Sequence, residues 1–259
     1  MSGGKTRKQN IARVNFIQYL FIVFDRTKGK MEEQNPAHDT AYLQALIDKG
    51  LQNYRVEVCK QLSQKMEDIG STLWAFGLIR EPSRRALAIV VQMGSALTKG
   101  TIQNLESDNR YAAAALLRQF VEIEYLLYLF AINPEDAEMW LLGDHEKLRK
   151  WFSPAEMRRR SKGFFRADEY WSHCEIGGHP HPKSMFLLPN IEPMKKKDPM
   201  FDAPNFLWVD LGQHIRRALS SMIKNSKVFA EIPSAISNLN TASNLITAWL
   251  ESDPCAPRR

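Results

Sequence analysis

From Tyr111 to Ile132 the chain is apolar almost without interruption, and that run constrains the fold more than any other feature. As a helix it makes about six turns with apolar residues on every side. Such a helix must be covered on every side. The rest of the sequence supplies the cover. Asp39 or Thr40 is placed to cap a helix in which Leu43, Leu46, Ile47, Leu51, Tyr54 and Val58 recur at helical spacing. It is expected to reach about Glu67, with Gly50 as its weak point. Trp74, Phe76, Leu78 and Ile79 form a separate apolar patch that Glu81-Pro82 ends.

A further helix is expected from Ser83 to about Leu105. Gly94 and Gly100 within it suit a close helix contact; Lys99-Gly100-Thr101 has the wrong order for a phosphate-binding loop. Ser107 or Asp108 is expected to cap the central helix. Asn133-Pro134-Glu135-Asp136 stops it and starts another, with proline and acids in the first turn. Ser153-Pro154-Ala155-Glu156 is a capping box, and one more helix is expected from Phe164 to Cys174. Six of the 13 prolines fall between Gly177 and Pro204, so no helix is expected there. Helices resume from Phe206 to Phe229 and from Ala235 to Leu250.

This pattern predicts an all-α fold, a helical bundle of six or more helices with one long irregular Pro-rich loop. The domain organisation expected is an N-terminal extension over 1–36, a single bundle over 37–252 and a frayed tail over 253–259. A hydrophobic fraction of 44% excludes wholesale disorder. The apolar stretch Val14 to Phe24 is too short for a bilayer that needs about 20 residues, and no small-residue cleavage site follows it. No integral membrane association is expected. Cys59, Cys174 and Cys255 lie far apart and suggest a reducing, cytoplasmic setting.

The charge is concentrated. Between Lys147 and Arg166 eight basic residues face one acid, Glu156, a net +7 in a chain whose total is +6. Local positive charge of this kind points to an anionic partner. Lys150, Arg158, Arg159 and Arg160 are the candidate binding residues. Trp151, Phe152, Phe164 and Phe165 are interleaved with them, a combination suited to phosphates and bases. Its bland counterpart is a solvated helix face with the aromatics turned inward. Arg118 and Glu122, four apart on the apolar helix, share a face and must be paired if buried. They either fix helix register or line a polar pocket.

His173, Cys174, His179 and His181 cluster in sequence, with Asp210 and His214 four apart further on. These are metal-ligating residue types, yet their spacing matches no standard zinc pattern, and no metal or cofactor is expected. Arg166 and His173 are separated by six residues, about two helical turns, so both side chains are expected to point the same way. Histidine as acid or base with arginine against phosphate suits metal-independent RNA cleavage.

Ala112 to Glu122, Tyr128-Leu129, the helix around Trp140, and Tyr170-Trp171-Ser172 followed by His179-Pro180 resemble an uncharacterised family of bacterial helical proteins. That family's pattern is Arg-x-x-x-Glu, then a later Ser and His-Pro. It is similar to the HEPN superfamily, many of whose members are dimeric ribonucleases of defence and toxin systems with an arginine followed at short distance by a histidine. The resemblance implies Arg166, with His173 or His179, as catalytic residues, RNA or nucleotide as ligand, and a homodimer. Two alternatives stand beside it: a non-enzymatic interaction module, and a metal-dependent hydrolase using the histidine cluster.

Overall fold

The computed structural model describes residues 49–77, 81–188, 203–224, 229–253 and 255–256. Among them no strand occurs, and the helices form the expected all-α bundle. The first is α1 (Lys49–Gly77), followed by α2 (Pro82–Glu106) and the central α3 (Arg110–Ile132). Four short helices follow: α4 (Glu135–Leu142), α5 (His145–Trp151), α6 (Pro154–Arg160) and α7 (Ala167–His173). A π-turn (Cys174–Gly178) and a 3-10 turn (Pro182–Leu187) then lead towards α8 (Ala203–Lys224) and α9 (Pro233–Ser252).

The apolar run does lie at the centre. α3 packs between α2 and α8, and α1 touches α2, α8 and α9. Leu117, Phe120, Val121, Leu127 and Leu129 are buried on α3, each contributing about 1.5–3 kcal/mol if the area is counted as removed from water. Gly94 allows the close approach of α2: a Cβ there would stand 2.9 Å from Met66 Cε and 3.0 Å from Ile123 Cγ2.

Several boundaries differ from the sequence reading. Residues 11–24, the caps proposed at Asp39 and Thr40, and the stretch 189–202 of the proline-rich region lie outside the described residues. α1 does not stop near Glu67. Ile69 and Leu73 continue its buried stripe, so Trp74 and Phe76 belong to this helix, while Leu78 and Ile79 lie outside the described residues. Asn109, not Ser107 or Asp108, caps α3: its side chain accepts from Ala112 N, while Asp108 (φ 58°) turns the chain. α7 starts only at Ala167, because Lys162 (φ 52°) and Gly163 (φ 88°) form a turn before it.

The proline-rich region holds a 3-10 turn, started by Pro182 in its first turn where proline needs no donor. α8 is described from Ala203, ahead of Phe206, to Lys224, and residues 225–228 lie outside the described residues. The expectation of a frayed end is overturned at Asp253, Cys255 and Ala256, all buried. Asp253 receives Arg55 Nε at 2.7 Å and Nη2 at 2.8 Å, Trp249 Nε1 at 3.0 Å and the Cys255 backbone N at 2.9 Å. No described helix is long and apolar enough to cross a membrane.

Candidate functional site: a buried histidine–carboxylate centre

Two stripes of polar residues meet inside the bundle. On α8, Asp210, His214 and Arg217 follow at steps of four and three, which keeps them on one face. On α3, Glu124 falls in register with Leu117, Phe120 and Leu127, all buried. α7 closes the group with Glu169 and, four residues on, His173. Glu124 and His214 have no exposed side-chain surface.

The two imidazoles are held from behind. His173 Nδ1 lies 2.8 Å from the Glu169 carbonyl oxygen, which only accepts, so that nitrogen carries hydrogen. His214 Nδ1 lies 2.5 Å from Glu124 Oε2 and donates to that carboxylate, with Arg217 Nη2 a further neighbour at 3.0 Å. The tautomers follow from these partners. Both Nε2 atoms therefore face inward, 3.1 Å apart. Asp210 lies beside them: Oδ2 is 3.0 Å from His173 Nε2 and Oδ1 is 3.5 Å from His214 Nε2.

Arg217 steadies the carboxylates. Its Nη2 donates to Glu169 Oε1, and its Nε lies 2.8 Å from Glu124 Oε1, a charge contact without hydrogen-bond alignment. Burial and the charge of Arg217 work to lower the His214 imidazole, but Glu124 and Asp210 outweigh them and raise it to about 9. Burial alone would raise Asp210; the charge and hydrogen bonds of His173 and His214 hold its carboxyl far below the usual range. Glu169, pushed up by burial, is pulled down further by Arg217.

His173, Asp210 and His214 are the described group whose donor atoms converge as metal ligands do, all within 4.8 Å. A zinc-class ion sits about 2.0–2.1 Å from nitrogen and oxygen donors, so its tetrahedral edges are about 3.3 Å. The two nitrogens are 3.1 Å apart and lie 3.0 and 3.5 Å from different oxygens of Asp210, Oδ2 and Oδ1 respectively. The backing of each Nδ1 by a carbonyl or carboxylate is the outer arrangement that metal-bound histidines use. A cavity of about 10 Å³, water-sized, opens beside His173 and Asp210 against Ala114, Leu117 and Ile176.

The other sequence candidates are spread around this centre. Arg166 and His173 are not brought together. Arg166 caps the start of α7 on the exposed side and pairs with Asp168, while His173 is buried at the far end. His179 is exposed, past the π-turn. Arg118 and Glu122 do pair, at 2.6 Å, but at a half-buried position, and both meet the Tyr170 hydroxyl.

The basic window is partly neutralised. Arg159 pairs with Glu156 and Arg160 with the buried Asp136; Lys150 is exposed over the Trp151 ring. Phe165 is buried against Tyr125, its ring centroid 4.0 Å away, whereas Phe164 stays half-exposed against Tyr128. The sequence reading missed Glu124, Glu169 and Arg217. A signal existed for Glu124, since an acid standing in an otherwise apolar core stripe needs a buried partner.

The fold and the site together define a class, an all-helical bundle with an internal histidine–carboxylate centre. No known protein family, no curated protein and no solved structure matches the chain.

Proposed function

We propose that this chain is a metal-binding helical-bundle protein. His173 Nε2, His214 Nε2 and Asp210 hold one divalent transition metal, and water fills the remaining position. The reading rests on one observation: two imidazole Nε2 atoms face each other at 3.1 Å beside a carboxylate, with both Nδ1 atoms committed as donors elsewhere. Two lone pairs at that distance repel unless a cation, either a proton or a metal ion, lies between them. The adjoining carboxylate, a third group of metal-ligating type within reach of both imidazoles, favours the metal ion. Three protein ligands beside a water-sized space match a catalytic rather than a closed structural site. A bound ion of this kind lowers the pKa of its water toward neutrality, the basis of metal-assisted hydrolysis.

A metal-independent ribonuclease centred on Arg166 and His173 is less well supported. Both nitrogens of His173 are engaged inside the bundle, and Arg166 is paired with Asp168 at the surface.

Elemental analysis of the purified protein tests the proposal. About one transition-metal ion per chain is expected in the wild type, with less than a tenth of that in His214→Ala and Asp210→Asn. Chelation should lower Tm, and Zn²⁺ or Co²⁺ should restore it. The proposal fails if the wild type is metal-free and Tm is unmoved by added Zn²⁺, Co²⁺, Mn²⁺ or Fe²⁺. Glu124→Gln, which keeps the shape but weakens the support of His214, should bind metal about 10–100-fold more weakly.

A further inference from the structure

Outside the buried centre, two guanidinium groups converge on one tyrosine ring. Arg158 lies 4.2 Å and Arg118 5.0 Å from the centroid of Tyr170. Arg118 is satisfied by Glu122 and by the Tyr170 hydroxyl, which itself donates to Glu122 at 3.1 Å. Arg158 is not. Its neighbours Arg159, Arg160 and Arg166 each have a carboxylate, yet among the described residues Arg158 has none, and its buried Nη1 meets no acceptor. Glu122 pairs with Arg118, so among the described residues Arg158 is left without a bonded carboxylate.

A second donor is stranded beside it. Tyr125 is 1% exposed and its hydroxyl has no hydrogen-bond partner. Its ring lies 6.2 Å from that of Tyr170; the carboxylates of Glu169 and Glu124 act on the hydroxyl, and the guanidinium groups of Arg158 and Arg217 oppose them. Buried donors without acceptors are uncommon and mark a missing partner. One water could accept from the hydroxyl, but it would bring no countercharge. A tetrahedral oxyanion supplies several acceptor oxygens and the charge, and an arginine can grip two of those oxygens at once. Trp171, 58% exposed next to Tyr170, offers a flat apolar face for an organic group attached to the anion.

We propose that Arg158 and the Tyr125 hydroxyl bind the phosphate group of a small phosphate ester, with Arg118 and Tyr170 as the wall of the site and Trp171 beside the ester's organic part. These residues are not the metal ligands, so the inference goes beyond metal binding. It also has a geometric consequence for it. Tyr170 and His173 are three residues apart on α7, about 4.5 Å of helix rise, so the two sites share that helix.

The test titrates the full chain, both chelated and metal-loaded, with inorganic phosphate, phenyl phosphate and a short RNA. Phosphate should bind the chelated protein and raise its Tm, and phenyl phosphate should bind more tightly. Trp171→Ala should remove that advantage. Tyr125→Phe and Arg158→Gln should each weaken phosphate binding by about tenfold, while Lys99→Gln, paired with Glu67 on the α1–α2 face, binds as the wild type does. Tyr125→Phe deletes a hydroxyl that has no partner and keeps the ring, so its fold is preserved.

The idea is overturned if phosphate at tens of millimolar leaves the chelated protein unchanged, or if Tyr125→Phe and Arg158→Gln bind it as well as the wild type. Binding seen only in the metal-loaded protein and indifferent to both substitutions would put phosphate on the metal instead. RNA binding that survives both would shift the site to the exposed Lys150 and Arg159 face and overturn the small-ester assignment. Phosphate binding to chelated protein supports this site whether or not the metal proposal stands.

Discussion

Cys59 illustrates how burial sets the chemistry of a single side chain. It is enclosed between α1 and α8, its Sγ 3.5 Å from the Trp208 carbonyl oxygen. Burial first, then the charge of Asp253, pushes its thiol up to about 12, against a smaller opposing pull from Arg55. The unfolded thiol ionises near pH 8.5. A raised folded value means that the contribution is fully present below pH 8.5 and is lost as pH rises toward 12. The slope is about 1.4 kcal/mol per pH unit in that window. Urea midpoints measured from pH 8 to 11 should fall more steeply for the wild type than for Cys59→Ser. Cys59 should also resist iodoacetamide at neutral pH in the folded protein. Residue-level legibility was uneven for a related reason. Glu122 and Glu124 are two residues apart, about 200° around the helix, and local spacing singles out Glu122, which stands four residues from Arg118. The buried acid is Glu124, whose partners come from α8 and are invisible to local spacing. Asp210 and His214 were legible as a pair four apart; that His173 would meet them could not be read without the packing of both α7 and α8 on α3.

At the scale of elements, the π-turn Cys174–Gly178 is the joint that seats α7 against α3. A Cβ on Gly177 would stand 2.6 Å from Ala115 N, in the backbone of α3, where no side chain can yield. Gly177→Ala should therefore displace the end of α7, carrying His173 with it. The expected result is a loss of about 1–3 kcal/mol in chemical denaturation, by analogy with overpacked cores, together with weaker metal retention. Ala115→Gly, which leaves that backbone in place, should not rescue it. The cap at Ser153 was read well from sequence: it accepts from Glu156 N, although the Glu156 carboxylate pairs with Arg159 instead of reaching back, and Pro134 is the N-cap of α4 rather than a residue of its first turn. The π-turn was not read, since a one-residue expansion inside a helix leaves periodicity nearly unchanged. α1 ran past its expected end because Gly70 is tolerated where Gln92 and Val91 press against it.

For the whole molecule, the pairing of Arg55 with Asp253 joins α1 to the residues beyond α9, and 198 positions separate the two. Both side chains are fully buried and bidentate. Asp253→Ala leaves an enclosed guanidinium without its anion and should cost about 3–5 kcal/mol, measurable as a lowered urea midpoint. Truncation after Ser252 should behave alike, and a double substitution of Arg55 and Asp253 by apolar residues should recover part of the loss. The clamp also governs how force enters the fold. A tether attached beyond Ala256 pulls first on a guanidinium–carboxylate fork anchored in α1, with the Trp249 indole on the same carboxylate. Tension is thus delivered to the middle of the bundle, so mechanical rupture should be abrupt rather than a gradual unravelling of the last helix.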